Sequence, residues 1–372
     1  PHHPAWVPVA VTAQLAKDDA AEALRLADAA LEAHPGDVRL LSAKADAHFA
    51  SEQWDAALVV LRQATEVAPD DVVLQGRRGE AARRAGELEE AREALDAALA
   101  LDAAHGPALV ARLALDVTEN RLADAETIVG RLKELRESGE AYQRWLGRYH
   151  VARGSGYAGV RDLNRSLRMF RRDPEPRLLL ADLFMQAELY GRANTLYRAA
   201  ARMRRATREQ RVAGFLGAAL SYGRDRKTNR VAPLLEEAIA AARGDDGDPE
   251  APSPLADDPR YVLAEAQVEY NLGRAPAAQR LAERARSLDP EGPTAPIASL
   301  LLALIDDRRR RDPEAHLRAA MQTPNPQPLA FGLLAKRLGA SEEGCALGAA
   351  YLRAAPRGDA RQAIRSLRTD CE

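Results

Sequence analysis

Alanine recurs every 34 residues in the first third of this chain. Ala23, Ala57, Ala91 and Ala125 stand in unbroken register, and Ala30, Ala64 and Ala98 repeat the step seven residues later. A fixed period of this length marks a chain assembled from copies of one supersecondary unit, each too small to bury its apolar face alone. Pro35 and Pro69 close a helix at matching positions, with Ala103 at the third. The segments Leu31-Glu-Ala-His-Pro-Gly-Asp37, Thr65-Glu-Val-Ala-Pro-Asp-Asp71 and Leu99-Ala-Leu-Asp-Ala-Ala-His105 each read as a helix end, a stop and an N-cap for the next helix.

Composition agrees. Hydrophobic residues make up 46% of the 372 residues but aromatics only 5%, so the apolar content is mostly Ala and Leu. Those are strong helix formers. Val, Ile and Thr never alternate over a useful length, so no window has strand character. The expected class is all-α. Arg outnumbers Lys by 48 to 5, a bias that with so much Ala suggests a bacterium with a GC-rich genome.

A helix-turn-helix unit of 34 residues, with a small residue in helix A, two alanines in helix B and a closing proline, resembles the tetratricopeptide repeat family. Ala45, Ala57, Ala64 and Pro69 carry the pattern in the second unit, and Gly79, Ala91 and Ala98 in the third. Ala266, Ala278, Ala285 and Pro290 carry it again after a gap. Small residues belong there because helices A and B cross at those positions. The resemblance implies a right-handed superhelical solenoid of about ten such repeats with a C-terminal capping helix from Asp359 to about Thr369. Neighbouring repeats, not one central core, would stabilise it.

The organisation follows. Residues 1–4 read as a linker end. Residues 5–243 are solenoid, with the units around Gly147, Gly159, Ala181, Ala193 and Gly217 degenerate, and Gly159 and Asn229 in place of the helix B alanine. Residues 244–258 form an acidic, Pro-rich loop, either an insertion or a segment that docks on the chain itself. Residues 259–372 continue the solenoid. No apolar run approaches the roughly 18 residues needed to span a membrane. The first residue is Pro1, which permits a removed signal peptide, anchor or upstream domain.

The sequence carries no catalytic motif, no metal site and no cofactor site that survives inspection. Gly154-Ser-Gly-Tyr-Ala-Gly159 spells G-x-G-x-x-G, but helix rather than strand precedes it, so it reads as a flexible turn between helices A and B. The His2-His3 pair lies in a Pro-rich terminus and reads as linker. Asn164-Arg-Ser166 is a formal glycosylation sequon on a predicted helix. Cys345 and Cys371 are the only cysteines; they begin helix B of the last unit and end the capping helix. Either they are two reduced thiols, leaving the cytoplasm as compartment, or they form a disulfide, which implies an oxidising one such as the bacterial periplasm or cell envelope.

Charge is segregated. Residues 1–143 hold 15 Lys and Arg against 26 Asp and Glu, a net −11. Residues 144–230 hold 20 against 7, a net +13, and residues 231–372 hold 18 against 22. Ten of the 17 aromatics also fall between Tyr142 and Tyr222. In the resembled family, positions 2, 5, 9 and 12 of helix A line a concave groove. Taking Gly147, Gly217 and Ala266 as position 8 places Arg144, Arg148, Arg211, Ser221, Arg260, Gln267 and Tyr270 there, with Tyr222 beside them. Arg grips carboxylate or phosphate through a planar fork. The expectation is a non-catalytic scaffold or adaptor whose groove takes an acidic or extended segment of another protein. One alternative is the regulatory or targeting segment of a larger enzyme such as a kinase. Another is single-stranded nucleic-acid binding by the basic central repeats, against which the acidic flanks argue. The co-chaperone members of the family clamp a carboxylate with Lys and Asn where this chain has Ser42 and Asp46, so that role is not expected. Oligomeric state cannot be read from the sequence.

Overall fold

In a computed structural model of the chain the described residues are 6–244, 248, 251–369 and 371. The terminal linker, the His2-His3 pair and the loop residues 245–247, 249 and 250 lie outside them. Among the described residues there are 21 α-helices and no strand. The chain divides into two compact units, Pro1–Ser138 and Gly139–Glu372.

The first unit holds α1 (Val7–Leu15), α2 (Ala20–Ala33), α3 (Val38–Ala50), α4 (Trp54–Val67), α5 (Val72–Ala85), α6 (Leu88–Leu101), α7 (Gly106–Thr118) and α8 (Leu122–Glu134). The second holds α9 (Glu140–Ala152), α10 (Tyr157–Met169), α11 (Glu175–Gln186), α12 (Tyr190–Ala201), α13 (Arg208–Arg224) and α14 (Val231–Arg243). It continues with α15 (Pro259–Asn271), α16 (Ala275–Leu288), α17 (Thr294–Arg308), α18 (Glu314–Ala320), α19 (Pro328–Leu338), α20 (Glu342–Ala354) and α21 (Arg361–Thr369). Odd and even helices pair as A and B, which makes ten hairpins and a terminal cap.

The phased alanines are the crossing points. Ala57, Ala64, Ala91 and Ala98 are inaccessible to solvent, and so are their counterparts Ala23 and Ala125. Gly79 shows why: a Cβ there would come 2.5 Å from Leu95 Cγ across the hairpin. The A helices α3, α5 and α7 are started by the residues their sequence positions predict, Asp37, Asp71 and His105. Asp37 accepts from the Arg39 amide at 2.9 Å, and Asp71 from Val73 at 2.9 Å and Leu74 at 3.1 Å.

The backbone extends the repeat further than the side chains do. The turn from helix A to helix B contains a residue of positive φ at Asp18, Glu52, Gly86, Asn120, Gly154 and Glu188. Those positions are 34 apart without a break, so the period runs unchanged through the units whose alanines have decayed. It first slips at Arg226, after the 17-residue α13, and the later turns at Gly273, Arg310 and Gly339 do not return to it. Asn229 is accordingly not the helix B crossing residue. It is exposed in a 3-10 turn, Thr228–Arg230, ahead of α14.

The second unit closes on itself. Gln186 donates to Asn325 Oδ1 at 2.6 Å and to the Val151 carbonyl at 2.7 Å, and accepts from the Gly156 amide at 3.1 Å. The Asn325 amide donates to the Ala152 carbonyl at 2.9 Å, and the Asp359 amide to Glu188 Oε2 at 2.8 Å. The segment 154–159 is therefore a packing surface and not a loose turn. Gly154 (φ 69°) faces Pro326, and Gly156 (φ 49°) lies so close to the Ala354 carbonyl that a Cβ would overlap it. Of the acidic loop, the described part is anchored: Leu255 is buried in the unit's core, and Asp258 caps α15 by accepting from the Arg260 amide at 2.8 Å.

Two stability outcomes follow. Ala57→Leu or Ala91→Leu is expected to overpack a crossing and cost about 1–3 kcal/mol. Ala20→Leu and Ala97→Leu, at partly exposed positions off the phase, are expected to cost less in the same denaturant unfolding. Gly156→Ala is expected to loosen the closure by about 1–3 kcal/mol. Gly191→Ala, in α12 with nothing within 4 Å, should be neutral or stabilising by up to about 1 kcal/mol.

Candidate functional site

The residues expected to line one groove separate into three places in the second unit. Arg144, on α9, is held by Glu140 at 2.7 Å, Glu175 at 2.9 Å and Asp173 at 3.1 Å. Arg148, one turn on, pairs with Glu175 at 2.6 Å and lies over the Trp145 ring at 4.5 Å. Their charge is consumed where α9 meets α11. Tyr270 is covered by the Arg308 guanidinium, 5.3 Å from its ring centroid, and Tyr222 is half-buried against the core. Arg211 is exposed and donates to the Ala206 carbonyl at 3.2 Å.

Ser221 is a correction. It is fully buried, donates to the Ala218 carbonyl at 2.8 Å and accepts from Asn194 at 3.2 Å. Its side chain is taken up between α13 and Asn194 of α12, in the preceding hairpin. Arg260 and Gln267 do come together. They line an inner cavity of about 290 Å³ with Asp182, Tyr197, Gln186 and Asn325. Gln267 itself is buried and donates to Asn271 Oδ1 at 3.2 Å.

Asp182 is the strongest electrostatic feature of that cavity and was invisible in the sequence. It accepts a hydrogen bond from the Tyr197 hydroxyl. Burial pushes its carboxyl up to about 6, with the Tyr197 bond and the Arg260 charge pulling the other way. The same environment holds the Tyr197 hydroxyl well above its ordinary range, again chiefly by burial.

Sequence inspection also missed a Ser–His–Asp contact. His150 Nδ1 lies 3.2 Å from Ser155 Oγ and Nε2 3.1 Å from Asp162 Oδ2. The first of these contacts recurs in the other unit, where His48 Nδ1 lies 2.8 Å from Gln53 Oε1 at the same five-residue spacing. A contact that repeats with the turn belongs to the turn. Ser42 and Asp46, the positions that differ from the co-chaperone clamp, are both held by Arg77.

A different region keeps its charge unspent. The last turn of α10 and the turns joining α10 to α11 and α12 to α13 carry Arg168, Arg171, Arg172, Arg204 and Arg205, all exposed. None has an ion-pair partner among the described residues. Four of them border an open depression of about 590 Å³ with Phe170 and Gln210. At the far end of the unit, Cys345 and Cys371 are joined as a disulfide with Cα atoms 5.9 Å apart. No group of His, Cys, Asp and Glu able to hold a metal occurs among the described residues, and no described helix is long and apolar enough to cross a membrane.

Comparison with known proteins bears on the hairpins. The tetratricopeptide repeat family profile matches residues 14–76. Residues 14–76 carry tetratricopeptide repeat sequence. Among solved structures it is similar to the Cut9-Hcn1 hetero-tetramer of APC/C, with a TM-score of 0.56 at 15% identity over 78% of this chain. The likeness shows the fold alone, and the chain spans 55% of the length of that protein. A tetratricopeptide repeat protein from Parabacteroides merdae aligns over 80% of this chain and 97% of its own at 16% identity, but with a TM-score of 0.34 that bears no argument. No curated protein matches in sequence.

The Asp182 carboxyl makes a testable statement about this repeat protein. Between about pH 4 and 6 the folded state keeps a proton that the unfolded chain has released. This group therefore favours folding at low pH, and the contribution is lost as pH rises through 6. Asp182→Asn is expected to gain stability relative to the parent as pH climbs across that window, by up to about 3 kcal/mol, and to match it below about pH 4. Urea unfolding of both proteins across the window reads the difference directly.

Proposed function

We propose that this tetratricopeptide repeat protein is a non-catalytic interaction scaffold that takes an acidic segment of a protein partner on the arginine rim of its second unit. One observation carries the reading. Arg168, Arg171, Arg172, Arg204 and Arg205 are exposed, four of them on an open depression, and have no carboxylate of their own among the described residues. The arginines inside the helix A layer, Arg144 and Arg148, are already neutralised by Glu140, Asp173 and Glu175. An acidic chain gains more from charges that are solvated and unpaired than from charges it must first release.

The aromatics that favoured nucleic acid do not reinforce this rim. Tyr142, Tyr149, Phe184, Tyr197 and Phe215 are all buried. Bases stack on exposed rings, so half of the ten central aromatics are withdrawn from that chemistry.

The test uses an Asp- and Glu-rich peptide and a single-stranded oligonucleotide as separate probes. Arg171→Glu with Arg172→Glu is expected to weaken peptide binding by about tenfold or more, equivalent to about 1.4 kcal/mol. The melting temperature should hold, because neither side chain has a partner to lose. Binding should also fall as salt rises, since exposed charges are screened over about 10 Å at 0.1 M. Unchanged peptide affinity in the double variant defeats the rim as the docking surface. Tighter binding of the oligonucleotide than of the peptide would turn the reading to nucleic acid.

A further inference from the structure

The ends of the B helices carry a period that the crossings do not require. Val67, Leu101, Leu135 and Met169 recur every 34 residues, each at or just past the end of a B helix, and each is between 45% and 57% exposed. Ala33 precedes them in step and is exposed, and Met203 follows, half-buried. Surface apolar residues are ordinary when they are scattered singly; the same repeat position filled four times by a large one is a column. The turns that bear it stand side by side at one edge of each unit. In the first unit Arg131, in the last turn of α8, donates to the Ala103 carbonyl just past α6. In the second, the turns after α10 and α12 border one depression.

Charge along this column changes sign between the units. The residue before the apolar one is Glu32, Glu66 and Glu134 in the first unit, with Ala100 the exception, and Arg168 and Arg202 in the second. The turns that follow add Asp70 and Asp102 to the first unit and Arg171, Arg172, Arg204 and Arg205 to the second. Glu32, Glu66, Asp70 and Asp102 are exposed and have no ion-pair partner among the described residues. Lys133 and Arg136 stand beside Glu134, so the acidic stretch of the edge lies at the ends of α2, α4 and α6. Folding does not ask for these acids. A carboxylate in the last turn of a helix meets the negative end of the helix dipole. Glu32 and Glu66 sit there with no basic residue in the same turn to offset them. Acids set against the local preference and left unpaired have their counter-charge outside the unit.

We infer that the partner of the arginine rim is a second copy of this chain: the acidic edge of the first unit, at the ends of α2, α4 and α6, docks on the rim of the second unit of another molecule. The inference rests on the reading of the rim as an acid-binding surface and supplies its occupant. Both surfaces are the same edge of the same repeat, so their apolar residues are spaced alike. Val67 and Leu101 offer hydrocarbon on one side, and Met169 with the half-buried Phe170 on the other. Unpaired carboxylates flank the first pair and unpaired guanidinium groups the second, which makes the two complementary in charge as well. A purely acidic peptide satisfies the arginines but leaves the apolar columns of both units uncovered. The two surfaces differ and every molecule carries one of each, so the contact is heterologous and the association head to tail.

Sedimentation velocity of the full chain is the experiment. At about 0.1 M salt the parent is expected to associate as its concentration rises through the micromolar range, and to return to monomer near 1 M, where screening has shortened from about 10 Å to about 3 Å. Arg171→Glu with Arg172→Glu, and separately Glu32→Arg with Glu66→Arg, should each weaken self-association by about tenfold or more. Melting temperatures should hold, because neither pair has a partner to lose and an arginine in the last turn of α2 or α4 suits the helix dipole. An equimolar mixture of the two variants should regain the parental affinity, since one keeps the acidic edge and the other the rim. Val67→Ser with Leu101→Ser should also weaken self-association by about tenfold, while binding of an Asp- and Glu-rich peptide to the rim stays as in the parent. A parent that remains monomeric at hundreds of micromolar and low salt overturns the inference without recourse to any variant. If that monomer still binds the acidic peptide, the rim reading stands alone; if it does not, both fall. Variants that associate as the parent does, or a mixture that stays monomeric, overturn the pairing of these two surfaces.

Discussion

Everything in this chain rests on how closely helix A approaches helix B. At the crossing there is room for a methyl group or a hydrogen, as at Ala57, Ala91 and Gly79, and for nothing larger. That closeness lets an Ala-rich helix, which has little apolar area per residue, bury what it has on a partner one turn away in sequence. Burial scales with area removed from water, so short contacts repeated many times replace a few large side chains. It also explains why so few aromatics suffice in the first unit. The second unit solves the same problem differently: at the α9–α10 crossing Gly147 packs against Leu163, a hydrogen opposite a bulky side chain, and between hairpins Gly217 of α13 packs in the same way against the Tyr197 ring of α12. The consensus decays there because volume has been exchanged across the crossing while the crossing distance is kept.

The repeat was legible wherever the crossing is occupied by Ala and illegible wherever Gly is matched by something large. The turn residue of positive φ kept the period through Glu188, yet Asp, Glu, Gly and Asn all occupy it, so no residue type announces it. A backbone constraint that several side chains tolerate leaves little trace in a single sequence. The charge segregation was legible as a sum and misleading as a map. Counting charges from 144 to 230 locates a basic segment, but which arginines stay free depends on which acids the folding of α9 against α11 brings to them. Glu175 lies 27 residues from Arg148 and touches it. Ser221 failed for a related reason: its burial depends on Asn194 of α12, which folding brings to it from 27 residues away.

Closure of the second unit is a long-range event and had no local signature. Its contacts join Gln186 to Asn325 and Glu188 to Asp359, separations of 139 and 171 residues. What the sequence did contain was the consequence, a run of glycines at 154–159 that resembled a nucleotide loop. Gly154 and Gly156 are there because Pro326 and Ala354 approach the backbone too closely for a side chain. A glycine pattern reports close approach without naming what approaches; a phosphate and a neighbouring backbone leave the same mark.

The closure also divides the functional surface. An open solenoid offers its helix A layer to extended chains, and its other surfaces are secondary. Where the layer is tied across by the Gln186 and Glu188 contacts, the turns at the ends of the B helices remain exposed. Those turns are where the second unit carries arginines without acidic partners, at 168–172 and 204–205. Inside, the balance reverses, and Asp182 is a buried acid with too little positive charge around it. A macromolecule is thus matched to the outside by charge that is exposed and plentiful. The inside is apolar surface broken by Asp182, Arg224 and Arg260, the last already forked onto Asp258. The same Gln186 and Glu188 contacts that close the unit keep those two chemistries apart.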